Sequence, residues 1–255
     1  MVSTLAVIAM LGICAYPDLT PERLESSRER LVDAEAKGYP DHHRQYNIEL
    51  SEQGRLTNEP LLRFKLVNNL EQGVALIFDR PALMKGVILA SNSKDELYFR
   101  LPGQRHIQTI QVRSRLQDFM GTQFNLNDLN SLSFTDGYEI CGIEMSRDNE
   151  RLMLRRRLAS NDQGNPYINL QINRVTGLIN RIDYIDKSGR IERRQERRKL
   201  VKVSFEKPYF SEIVLHDFKS DRSSIVRVVS TDLRDEKTYG RFDKRWIARV
   251  ARSDN

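Results

Sequence analysis

Cysteine is nearly missing from this chain of 255 residues, which has two, Cys14 and Cys141. Two thiols allow one pair, which excludes a disulfide framework, and no Cys-x-x-Cys is present to serve as a redox centre. Histidine is also scarce, with 4 residues. Of these, His42 and His43 are adjacent, and neighbouring side chains do not share a face on a strand or helix as ligands at i and i+4 do, so neither a metal site nor a cofactor is expected. His-Glu-x-x-His, Gly-x-Ser-x-Gly and a phosphate-binding glycine loop are all missing from the sequence. Without the residues of these hydrolytic and phosphate-binding chemistries, the expected function is not enzymatic.

Long apolar runs are equally rare. The one of note, LAVIAMLGICAY from Leu5 to Tyr16, is too short to span a bilayer of about 30 Å as a helix and has the length of a signal-peptide core. Met1 to Thr4 carry no Lys or Arg, the positive start such signals have, which fits a start site placed too late. The expectation is an exported chain in which residues 1–15 are a signal peptide and residues 16–255 form one domain. Cleavage after Ala15 removes Cys14 and leaves Cys141 alone, where it reads as a small buried apolar side chain near a strand end. A lipoprotein would instead be acylated on Cys14, but Ile13 is larger than that signal takes.

What the chain does contain is charge and alternation. Hydrophobic residues make up 39% and charged residues 30%, the balance of a soluble globular protein. No linker and no fixed-period repeat divides it. The net charge of +6 and pI of about 9.3 favour anionic partners. The excess concentrates in Arg155-Arg156-Arg157 and in RIERRQERRKLVK, Arg190 to Lys202. Neither run contains an aromatic residue for base stacking, so nucleic acid is not an expected partner. The second run reads as a solvated strand with ionic cross-strand neighbours.

Thr20-Pro21-Glu22 predicts a helix N-terminus and Gly38 its stop, with Leu24, Leu31 and Ala34 as a narrow apolar stripe. Beyond Arg44 the period changes from 3.6 to 2. Leu62, Phe64 and Leu66, then Val74, Leu76 and Phe78, then Leu97, Phe99 and Leu101 alternate with polar residues. Ile182 and Tyr184, Ile213 and Leu215, and Val226 and Val228 continue the pattern as half-buried strands. Turn signals at Asn68-Asn69, Asp79-Arg80-Pro81, Asn92-Ser93-Lys94, Lys187-Ser188-Gly189 and Lys219-Ser220-Asp221 imply antiparallel hairpins. The expected fold is mainly β with α: one strongly curved antiparallel sheet with a few helices on its concave face.

Large apolar side chains also stand in a polar segment, where Phe119, Met120 and Phe124 crowd around Gly121. Leu101-Pro102, Ile107 to Ile110, Phe119-Met120-Gly121, Phe124 and Asp128-Leu129 together resemble the outer-membrane lipoprotein-sorting proteins related to the LolA and LolB carriers. LIFDRPALMKGVILAS (Leu76 to Ser91) and FEKPYFSEIVLHDFKSDRSSIVRV (Phe205 to Val228) resemble two hairpins of the same family. Where that family carries Ser-Asp after the glycine and an acidic residue before Asp-Leu, this chain has Thr122-Gln123 and Asn127.

The resemblance implies an incomplete barrel and a periplasmic carrier of lipid or lipoprotein acyl chains. Such a carrier is a monomer that passes cargo from an inner-membrane exporter to an outer-membrane acceptor. Periodicity alone reads Leu62, Phe64, Leu66, Leu76, Phe78, Leu97 and Phe99 as packed core. Under the resemblance the same residues line an apolar cavity, with Phe119, Met120 and Phe124 as its lid. A sensor or transporter-accessory protein binding a partner protein with the same half-barrel is the alternative.

Overall fold

The computed structural model describes residues 19–38, 41–53, 60–68, 73–91, 96–104, 106–110, 122–124, 134–157, 165–202, 207–234 and 238–253. Thirteen strands form one antiparallel sheet in the order β6-β5-β4-β3-β2-β1-β13-β12-β11-β10-β9-β8-β7, not closed into a barrel. Almost every strand pairs with its sequence neighbour, as short polar turns between alternating segments dictate; β1 with β13 is the long-range exception. The strands are β1 (Arg44–Glu52), β2 (Leu62–Asn68), β3 (Val74–Arg80), β4 (Ile88–Ser91), β5 (Leu97–Arg100), β6 (Gln108–Ile110), β7 (Tyr138–Met145), β8 (Asn149–Arg156), β9 (Tyr167–Asn173), β10 (Ile179–Ile185), β11 (Ile191–Val201), β12 (Tyr209–Asp217) and β13 (Arg222–Leu233). Among the described residues the α-helices are α1 (Pro21–Gly38), α2 (Phe134–Gly137) and α3 (Lys244–Ser253). Packing divides the chain into two compact units: Met1–Gly38 with Leu132–Arg198 and Leu215–Asp221, and Tyr39–Ser131 with Lys199–Val214 and Arg222–Asn255.

In the first unit, α1 begins where the sequence signals it. The Arg23 N–H donates to Thr20 Oγ1 at 3.3 Å, and Glu22 sits in the first turn against the positive end of the helix dipole. Leu31 and Ala34 are buried as expected, but Leu24 is 37% exposed. Ser27 and Glu35 take part of the buried face instead. Both have partners in the same unit, on β8 for Ser27 and in α2 for Glu35. Glu150 is 1% exposed and accepts from Ser27 Oγ at 2.7 Å and from Arg30 Nε and Nη2 at 2.5 and 2.8 Å, a two-point fork that neutralises a carboxylate sealed from water. Glu35 accepts from the Phe134 and Thr135 N–H groups at 2.5 and 2.9 Å and so caps α2. Gly177, at φ 67, closes the β9–β10 turn against α1; a Cβ there would stand 2.8 Å from Lys37 Nζ.

In the second unit, strands β2 to β5 are covered on one face by α3. Trp246, Ile247, Val250 and Ala251 pack on Val67, Ala75, Ile88, Ala90 and Tyr98. The sequence reading did not anticipate this helix, although its apolar residues recur at i, i+1, i+4 and i+5 between arginines. Trp246 Nε1 donates to the Thr238 carbonyl at 2.9 Å. Beside it Arg234 is buried and donates to the carbonyls of His42, Asn68 and Thr238. Burial lowers its pKa to about 10.

Cys141 is 7% exposed, in keeping with a buried side chain, but it is disulfide-bonded rather than a free thiol. The chain's one other cysteine is Cys14, which lies outside the described residues.

Candidate functional site

In an antiparallel pair, residues directly opposite one another project to the same face. The observed register sets Ile48 against Phe64, Leu50 against Leu62 and Tyr46 against Leu66. It continues with Phe64 against Phe78 and Leu66 against Leu76, Leu76 against Leu89, and Leu89 against Phe99. Leu97 shares the strand face of Phe99, two residues away. Leu62, Phe64, Leu66, Leu76, Phe78, Leu97 and Phe99 therefore lie on one face of β2 to β5, opposite the face that α3 covers. All are buried except Phe99, which is half-buried. The Phe64 and Phe78 rings lie 5.4 Å apart, tilted at 46°.

Residues 122–124 meet the sheet on this side at β13. Val226 opposes Leu50 and Ser224 opposes Glu52 on β1, so Ser224 projects to the same side. The Gln123 N–H donates to Ser224 Oγ at 3.1 Å, and that hydroxyl donates to Gln123 Oε1 at 2.7 Å. Thr122, Gln123 and Phe124 are 0%, 3% and 1% exposed. A neutral amide suits this position, because an unpaired carboxylate buried there would carry a large desolvation cost. Phe124 is buried next to Gln123, whereas Phe119 and Met120 lie outside the described residues.

The basic run on β11 departs from the sequence expectation. Its outward residues do form ion pairs: Arg194 Nε lies 2.6 Å from Asp183, and Lys199 Nζ lies 2.8 Å from Glu212, which also accepts from Arg227 at 3.1 Å. Lys199 foremost, through its hydrogen bond, holds the Glu212 carboxyl below the usual range against the opposing effect of burial. The alternate residues are not solvated: Gln195 and Arg197 are buried at 1% and 9% exposure. In Arg155-Arg156-Arg157, Arg155 pairs with Glu139 at 2.6 Å and Arg156 lies over the Tyr138 ring. Asp41, His42 and His43 converge in a turn with ligand atoms within 4.8 Å of one another. Asp41 Oδ1 there accepts from the His43 N–H at 2.9 Å, and Arg234 and Lys207 add positive charge nearby, which opposes a cation. An open depression on the outer side of α3 is lined by Arg245, Ala248, Arg249 and Arg252, away from the apolar strand face.

A family model described as "Uncharacterized protein" matches residues 71–249, more than half of the chain. Three solved structures share its fold. A putative outer membrane lipoprotein-sorting protein domain from Vibrio parahaemolyticus superposes with TM-score 0.70 at 14% identity, covering 88% of this chain and 99% of that one. A LolA superfamily protein from Nitrosomonas europaea gives 0.63 at 18% identity, covering 82% and 93%. A DUF1329 family protein from Desulfovibrio piger gives 0.65 at 16% identity, covering 84% and 94%. The chain belongs to the matched family, and its fold is LolA-like. No curated protein matches it in sequence.

The LolA-like sheet places more residues on the apolar face than the alternation of β2, β3 and β5 suggested. Tyr46, Ile48, Leu50, Leu89 and Val226 join it, all buried. The β1 members were available from their period of 2. Leu89 was not, because Ile88, Leu89 and Ala90 form a continuous apolar run buried on both faces, and such a run carries no alternation.

Proposed function

We propose that this LolA-like protein is a periplasmic carrier that holds the acyl chains of a lipid or lipidated protein, without catalysis. The observation that carries the reading is the continuous apolar face of β1 to β5, with Gln123 hydrogen-bonded to Ser224 on the same side. Each methylene moved from water onto such a face gains about 0.8 kcal/mol, so affinity scales with chain length and needs no directional bonds. That suits cargo that must be released. Phe119, Met120 and Phe124 act as the lid, Met120 supplying a flexible side chain and Gly121 a permissive backbone. An inner-membrane exporter and an outer-membrane acceptor are the partners such a role requires.

The test is titration of the full chain with a fluorescent fatty-acid probe. Saturable binding is expected, weakened by Met120→Ala with little loss of stability, whereas Leu76→Ala lowers stability strongly by cavity formation. If the wild type shows no saturable binding of any lipid or acylated peptide, the residues are a packed core and the carrier reading fails. A protein co-purifying in stoichiometric amount from the periplasm, in place of lipid, would favour the partner-binding alternative.

A further inference from the structure

Strand β11 turns three polar residues toward the face that α1 covers. Gln195 stands directly opposite Ile182, which is 0% exposed, and Arg193 opposite Tyr184. Arg197 follows on the same side, and its Nη1 lies 3.6 Å from where a Cβ on Gly38 would stand, at the end of α1. The neighbours on this face are apolar: Leu170 opposes Ile182 and Ile168 opposes Tyr184.

On two of these residues, Arg197 and Gln195, a donor is unmatched. Arg197 is 91% buried by its 9% exposure, and its Nε makes no hydrogen bond. Gln195 accepts from the Tyr184 hydroxyl at 3.4 Å, but its Nε2 donates to nothing. Among the described residues no carboxylate pairs with Arg197, in contrast to Arg30, Arg181 and Arg194 of the same unit. Desolvation lowers its pKa to about 10, which leaves it charged at neutral pH. The α1 C-terminus offsets part of that charge through its dipole. A buried guanidinium without a counter-charge otherwise costs stability, and a two-point fork in a low-dielectric setting is suited to an oxyanion. Alternate residues on a strand lie roughly 6–7 Å apart, so donors from both side chains can converge on one such group.

We propose that Arg197 and Gln195 form, within the first unit, a buried oxyanion site that takes a phosphate or carboxylate group, an amphiphile bearing such a group included. Calorimetric titration of the full chain with dodecyl phosphate, uncharged monolaurin and inorganic phosphate tests it. The wild type is expected to bind dodecyl phosphate about tenfold or more tighter than monolaurin. Arg197→Met should abolish that preference, leave monolaurin binding unchanged and raise the melting temperature of the unliganded protein. Gln195→Leu should lose part of the preference, and it supplies the same comparison if Arg197→Met does not fold. Equal affinity of wild type and Arg197→Met for dodecyl phosphate overturns the site while leaving the carrier reading intact. If neither amphiphile binds, the carrier reading fails. Inorganic phosphate then decides the site: stabilisation of wild type but not Arg197→Met sustains it for a free oxyanion, and no stabilisation of either overturns it.

Discussion

The apolar face of β1 to β5 and the α1-covered face of β8 to β11 are built by the same alternation but filled differently. The first is nearly all hydrocarbon, with Leu50 at 0%, Phe64 at 1% and Leu76 at 2% exposure. On the second, Leu152, Leu154, Leu170 and Ile182 share the surface with buried Glu150, Gln195 and Arg197. Glu150 is fully compensated by Ser27 and Arg30, whereas Arg197 is not. A hydrocarbon face binds anything apolar in proportion to its area, while a buried polar group costs stability unless a partner satisfies it.

Breaking each face at its centre gives the largest expected effects. Phe64→Ala should lower unfolding free energy by about 3–5 kcal/mol, the cost of a large cavity, measured by urea denaturation. Arg30→Met strands the Glu150 carboxylate and should cost about 3 kcal/mol or more, whereas Arg30→Met with Glu150→Leu should cost much less, because the buried charge is removed with its partner. If the chain unfolds as one domain, both variants lower the same transition; if the two units unfold separately, each shifts a transition of its own. Thr20→Ala removes the α1 N-cap and should cost about 1 kcal/mol. It should leave probe binding by the β1 to β5 face untouched.

The smallest effect sharpens the contrast with Arg197 by testing a charged group that does have partners. The folded pKa of Glu212 lies below its unfolded value. Its stabilisation is therefore present at neutral pH, above the unfolded value, and is lost as pH falls through the folded one. Lys199 and Arg227 are 66% and 48% exposed at their side chains, so solvent screening holds the contribution under about 1 kcal/mol. Lys199→Met should reduce the drop in urea midpoint between neutral and acid pH, and an unchanged drop would show that this pair contributes nothing.

The sequence by itself determined the antiparallel hairpin order, the α1 boundaries and which residues of β2, β3 and β5 share a face. Each of these follows from local rules: a period of 2, a capping threonine, a terminal glycine, polar turns. Tertiary structure alone decided that Leu24 is exposed while Ser27 and Glu35 are buried, since their partners Glu150 and Thr135 lie 123 and 100 residues away. It also decided that Gln123 meets Ser224 and that Gln195 and Arg197 of the basic run on β11 turn inward. Hydrophobic period reports which side of a strand is apolar. It cannot report a polar side chain buried on that side, because the energy that tolerates such a group comes from atoms brought near only by the fold.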